Sequence, residues 1–210
     1  MDLATMRTRV RRDLRDEDAA NYRWTDVEID RHIGRAVQEL SLAAPLEAST
    51  TLTTTAGSRE VSIAALTSRV SVEAAEYPAG QYPPCLVPFT TWADTLTLLI
   101  DGEPNDGESV LVRYAKLHTL DGGGTTLPDR LHDLVATGAA AYAGLEWASY
   151  ATNRVNVGGA ETWRNYHTWA QERMAAFAKA LAKLGRERRL RSHRLYQPAA
   201  GGGPRPLESQ

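Results

Sequence analysis

Residues 12–30 constrain this chain more than any other stretch. Arg12-Asp13-Leu14-Arg15-Asp16-Glu17-Asp18 runs into Asn21-Tyr22-Arg23-Trp24-Thr25-Asp26-Val27-Glu28-Ile29-Asp30. Thr25 precedes Glu28 by three residues, the spacing of a capping box, in which each residue satisfies the other's backbone N–H. Trp24 then falls just outside the cap and Ile29 on the first turn inside it, placed to close a hydrophobic staple. A helix that restarts under so much local coding leaves its predecessor at a fixed angle. The segment therefore predicts a bent helical hairpin, and it carries no catalytic signature.

The flanking periodicity agrees. Leu3, Met6, Val10 and Leu14 recur at helical spacing, so a first helix is expected from about residue 2 to 15. Arg7, Arg9, Arg11, Arg12 and Arg15 fill much of its remaining surface, either as a solvated face or as an interface. Ile29, Ile33, Val37 and Leu40 mark a second helix over about 26–44, which Pro45 ends because it has no N–H for the next turn. The two stripes are expected to face each other.

Beyond Pro45 the pattern changes to short β-branched runs. Residues 50–55 and 60–64, with Gly57 between them, predict a hairpin. Residues 69–73 alternate like a half-buried strand, and 95–100 with 109–114 predict a second strand pair. The proline-rich residues 77–88 read as a loop. The acidic stretch 101–108 reads as a solvated turn rather than a calcium loop, since Asp106 and Val112 stand where calcium geometry needs glycine and glutamate.

Gly122-Gly123-Gly124 reads as a linker, and Pro128 suits the first turn of a new helix. That helix is nearly all small in its middle, from Gly138 and Ala139 to Gly144, so another backbone can come close. The run from Asn156 to Gly159 breaks it. Trp163, Tyr166, Ala170, Met174, Phe177, Leu181 and Leu184 then stripe a last helix expected to end near Gly185. A basic stretch, Arg186, Arg188, Arg189, Arg191 and Arg194, leads through Tyr196 into a Gly/Pro tail that contains Leu207.

The fold class is therefore α+β: an N-terminal helical hairpin (1–49), a small antiparallel β region (50–120), two long C-terminal helices packing on the hairpin (121–185), and a basic extension with an extended tail (186–210). Small-residue faces and aromatic anchors suit contacts between copies of the chain, so Gly138, Ala139, Trp147, Trp163 and Trp169 are expected at a subunit interface.

The formal net charge of −2 argues against bulk electrostatic capture of nucleic acid. Cys85, the single cysteine, excludes an intrachain disulfide and a cysteine zinc cluster, and is expected to be a small buried residue. No apolar run approaches the ~18 residues that span a bilayer, and the first residues lack the apolar core of a signal peptide. A soluble chain made inside the cell is expected. There is no GxSxG, P-loop, HExxH or GxGxxG pattern. His32, His118, His132, His167 and His193 are scattered without metal-ligand pairing and are expected at the surface or at interfaces. Neither a catalytic residue nor a cofactor or metal site is expected. The tryptophans are expected to be core or interface anchors.

Residues 11–16 and 23–30, followed by Ala36-Val37-Gln38-Glu39-Leu40-Ser41, resemble the head–tail adaptor (connector) proteins of tailed bacteriophages. The likeness is strongest over the first quarter of the chain, and the order of elements fits as well. The resemblance implies a structural virion protein without enzymatic activity. It implies a ring, usually twelvefold, beneath the portal of the DNA-filled head, which extends the DNA channel and meets the next tail component, whether stopper, terminator or tail nozzle. It implies a C-terminal tail docked on the portal protein. Arg186, Arg188, Arg189, Arg191, Arg194, Tyr196 and Leu207 match that role in kind. Packaged DNA would pass without sequence-specific contact, and no membrane is involved. DNA binding through the arginine clusters is the alternative, recognisable by strong salt dependence.

Overall fold

The structure is a computed structural model that describes residues 1–151 and 162–192. Helices α1 (Leu3–Leu14) and α2 (Asp26–Ala43) form the N-terminal hairpin. Asp2 caps α1 by accepting from the Thr5 N–H at 2.8 Å. Thr25 and Glu28 close the capping box on α2 as the spacing predicts.

After Pro45 the chain enters a β region and returns to the bundle near residue 117. Strands β1 (Leu46–Thr53), β3 (Arg69–Glu76), β4 (Leu86–Val87) and β7 (Ser109–Lys116) make one antiparallel sheet in the order β1-β7-β3-β4. Strands β2 (Glu60–Ser62), β5 (Phe89–Trp92) and β6 (Thr95–Leu98) make a second, in the order β2-β6-β5. Val61, Leu96 and Leu98 from one sheet and Ala75, Val87, Val110 and Val112 from the other share a single apolar core.

Both strand pairings expected from the sequence are corrected. Residues 50–53 pair with β7 and 60–62 with β6, so they form no hairpin. Residues 95–98 and 109–116 lie in different sheets. Buried Thr54 explains the first divergence. Its N–H and C=O bond to Glu108 O (3.0 Å) and Gly107 N (2.9 Å), and its hydroxyl donates to Asn105 O at 2.6 Å. Gly57, at φ +71°, then donates to Pro104 O, so the turn is fastened to the 101–108 loop and the chain crosses to the other sheet. Residues 69–73 extend into the eight-residue β3, whose register shifts between Arg69 and Ser71 and again between Val72 and Ala74 interrupt its alternation. The proline-rich stretch contains β4, and Cys85 within it is exposed, contrary to expectation.

Strands β8 (Leu120–Asp121) and β9 (Gly124–Thr125) form a small hairpin where a linker was expected, with Gly123 donating to Asp121 Oδ1 at 2.7 Å. A 3-10 turn (Asp129–Leu131) follows Pro128 and leads into α3 (His132–Ala151). Helix α4 (Thr162–Ser192) passes through Gly185, where the sequence suggested an end. The expected break at 156–159 lies outside the described residues.

The stripes of α1 and α2 meet in a cluster shared with α3 and α4. Met6, Val10, Ile29, Ile33, Leu40, Val135, Ala139, Ala140 and Phe177 are its innermost members. Helix α3 is buried on most of its circumference because its residues are small. A Cβ on Gly138 would stand 2.8 Å from the Phe177 ring, and one on Gly144 would stand 2.9 Å from Ala170 Cβ. Trp24 and Ile29, the staple pair, are both buried in this cluster. Among the described residues no helix is long and apolar enough to cross a membrane.

Candidate interaction surfaces

The arginines of α1 are used mostly within the subunit. Arg11 is 4 % exposed. One guanidinium nitrogen donates to Asp16 Oδ2 at 2.5 Å, and the other to Trp24 O (2.9 Å) and Asp26 Oδ1 (2.8 Å). The Tyr22 ring covers it, with the guanidinium carbon 3.6 Å from the ring centroid. Asp16, itself buried, accepts the Arg23 N–H at 2.7 Å. Arg7 holds Asp30 with a two-pronged fork (2.9 and 2.7 Å) and reaches Asp26 at 2.9 Å. Its Asp30 hydrogen bond pushes the Arg7 pKa up, and the Arg11 hydrogen bond holds the Asp26 carboxyl below its usual range. Arg9 meets Asp133 of α3 at 2.5 Å.

Residues 11–30 are thus one fastening. Asp16, Asp26 and Asp30 are the counter-charges of the helix before them. The sequence shows the cap and the staple, but nothing in its spacing announces that Arg11 is buried. The five-residue step from Arg11 to Asp16 across a helix end is the one available signal.

Three histidines expected at the surface are buried. His118 joins the bundle to the β region. Its N–H donates to Ser41 Oγ (3.0 Å), its Nε2 faces Ala44 O (3.1 Å), and its Nδ1 faces Thr126 Oγ1 (3.1 Å). Nδ1 also faces Thr126 O at 3.1 Å, and burial holds the ring's pKa below the ordinary value against the pull of these two carbonyls. His132 Nε2 stands 3.2 Å from Leu127 O. His32 Nε2 lies 2.5 Å from Glu146 Oε2 without hydrogen-bond alignment, while Arg31 grips both oxygens of that carboxylate at 2.6 and 2.7 Å. Burial lowers the His32 pKa against the pull of Glu146. His167 is half-buried on α4, and His193 lies outside the described residues.

The expected interface residues separate into two sets. Gly138 and Ala139 are covered by their own subunit, Gly138 by the Phe177 ring, so their small faces are used in folding and offer no surface to another copy. Trp147, Trp163 and Trp169 are half-buried. Trp147 packs edge-on against Trp24, with centroids 5.8 Å apart, and Arg164 lies over Trp163. Of the other tryptophans Trp24 is buried as a core anchor, whereas Trp92 on edge strand β5 is 87 % exposed and is no part of its own subunit's core.

Of the residues expected to meet a portal, Arg186 is exposed near the end of α4. Arg188 donates to Glu73 of β3, so the end of α4 is tied to the β region. Arg189 and Arg191 continue the helix. Arg194, Tyr196 and Leu207 lie outside the described residues. Among the described residues no group of three or more His, Cys, Asp or Glu side chains is arranged to hold a metal ion.

The architecture is an α+β scaffold in which a four-helix bundle carries a two-sheet β region between its second and third helices. The chain belongs to the SU10 adaptor protein family, whose model matches residues 1–201. This is a family of structural phage adaptors and not an enzyme class. The resemblance carried by residues 11–41 thus extends over nearly the whole chain. No curated protein matches. Among solved structures, the chain is similar to one in the neck of an empty GTA particle computed with C6 symmetry, at 14 % identity and a TM-score of 0.29, over 80 % of this chain and 88 % of that one. It is also similar to a chain in the virion of a native gene transfer agent particle, at 16 % identity and a TM-score of 0.30, with the same coverage. The family assignment rests on the family model alone.

Proposed function

We propose that this chain is the head–tail adaptor of a tailed phage. Twelve copies form a ring under the portal, extend the DNA channel and present a surface to the next tail component. The family match over residues 1–201 carries this reading. Arg186, Arg188, Arg189, Arg191 and Arg194, with Tyr196 and Leu207 beyond them, dock on the portal protein. Trp147, Trp163 and Trp169 supply subunit contacts through the faces their own subunit leaves open. A closed ring needs such heterologous contacts, in which one side of a subunit meets a different side of its neighbour.

The alternative, DNA binding through the arginine clusters, loses part of its first cluster to the subunit itself. Arg7, Arg9 and Arg11 already face carboxylates of their own subunit. Each paired arginine is lost to the counterion release that drives binding to a duplex.

Mixing the full chain with its portal protein and measuring mass by light scattering tests the reading. A complex holding a ring of adaptors is expected. Deleting residues 193–210 is expected to weaken it strongly while the truncated chain still unfolds cooperatively. A truncated chain that binds the portal as well as the full one removes the tail from the docking surface. Failure of the full chain to join the portal sinks the adaptor reading.

A further inference from the structure

Tyr166, Trp169 and Arg173 follow one another on α4 at spacings of three and four residues, which place them on one face. The C-terminal end of α1 lies opposite. Between the two elements is an open groove of about 550 Å³, lined from α1 by Arg12, Asp13, Leu14 and Arg15 and from α4 by these three and Asn165.

The aromatic walls are held in place from within the subunit. Arg23 donates to Tyr166 Oη. Arg173 donates to Asp13 Oδ2 at 2.7 Å and lies over the Trp169 ring, 4.7 Å from its centroid. One guanidinium is left over and a second is only loosely held. Arg15 has no ion-pair or side-chain hydrogen-bond partner among the described residues. Arg12 approaches Glu17 only to 3.6 Å, and its side chain is 71 % exposed. The backbone of Arg15, at φ +56°, caps α1 through its N–H, so the helix end fixes its place beside the groove.

We infer that this groove docks an extended acidic segment of a second protein, with an apolar side chain laid between Tyr166 and Trp169 and carboxylates meeting Arg12 and Arg15. Charge complementarity selects this occupant. The free Arg15 guanidinium and the exposed Arg12 guanidinium, whose pairing with Glu17 is a loose surface one, are two separate forks, each shaped for a carboxylate. A nucleic-acid strand fits worse, because it brings a charge at every nucleotide to a groove that offers two guanidiniums beside the Arg173–Asp13 pair. The inference does not rest on the head–tail reading, although Trp169 is also a proposed subunit contact, and the self-association readout below separates the two. Fifteen residues of α4, ~22 Å at ~1.5 Å each, separate Arg173 from the Arg188 tie to the β region.

Fluorescence anisotropy on the full chain at low salt tests it. The probe is a labelled hexapeptide of alternating glutamate and leucine. The controls are the same peptide with glutamine for glutamate and a labelled oligothymidine. The glutamate peptide is expected to bind, and its affinity to fall about tenfold or more in the double variant Arg12→Ser/Arg15→Asn, because charge-assisted hydrogen bonds are lost. Asparagine tolerates the left-handed cap, so the variant should melt like the parent. Equal affinity for the glutamine peptide, tighter binding of oligothymidine, or an unchanged affinity in the double variant overturns the proposal. So does absence of peptide binding. If self-association of the chain is also lost in the double variant, the occupant is instead a second copy.

Discussion

The bundle and the β region use their side chains in opposite ways. In the bundle the charges are tied to one another, buried in Arg11 with Asp16, half-buried in Arg7 with Asp30 and exposed across helices in Arg9 with Asp133. In the β region large aromatics are turned outward, with Tyr82 97 % and Trp92 87 % exposed. The bundle's polar groups specify one shape, whereas the β region leaves apolar surface without a partner in its own subunit.

The sharpest way to break this comparison is Arg11→Ala. Removing one partner of a buried pair leaves the Asp16 carboxylate uncompensated, so a loss of about 3–5 kcal/mol is expected in urea unfolding. A loss below ~1 kcal/mol would show that the elbow is not the bundle's fastening. Next in size is Gly138→Val. Its Cβ meets the Phe177 ring, and overpacking of this kind costs about 1–3 kcal/mol. Gly34 on α2 has nothing within 4 Å of its missing Cβ, so Gly34→Ala is expected to stabilise by up to ~1 kcal/mol through helix propensity. Thermal melts of the two variants should therefore move in opposite directions.

Thr25→Ala is expected to cost about 1 kcal/mol by removing the cap of α2. The Thr25 N–H and hydroxyl hold the Glu28 carboxyl below its usual range. A depressed carboxyl contributes stability above its unfolded-state pKa and loses it as pH falls through the folded-state value. The difference between Thr25→Ala and parent should therefore shrink in acid, as melts at pH 7 and pH 3 will show. Smallest of all is Trp92→Ser, expected within ~0.5 kcal/mol of parent stability because the ring touches little. A large destabilisation there would show that β5 shares in the fold as the bundle does.

The same contrast governs what could be read in the sequence. The helices were legible because caps, staples and apolar periodicity are local: Thr25, Glu28, Trp24 and Ile29 lie within six residues. Strands were legible as extended runs, but their partners were not. Alternation tells a strand which face is buried and is silent on its neighbour, and Thr54 redirected the chain through bonds to residues 105–108. The small face of α3 was visible from Gly138 to Gly144, yet whether it met its own α4 or another copy depended on Phe177, 39 positions away. The groove between α1 and α4 was illegible for the same reason. Arg15 and Trp169 are far apart in the chain, and only the packed bundle brings them together.

Leu46 and Lys116 are register partners at the first rung of the β1–β7 ladder. The chain leaves the helices and comes back through a single doorway, with the His118 clamp on Ser41 and Ala44 as its latch. A cassette with adjoining ends can be lengthened, shortened or exchanged without moving the frame that carries it. In this chain the tie from Arg188 to Glu73 is a second point at which such a change would be felt by the frame.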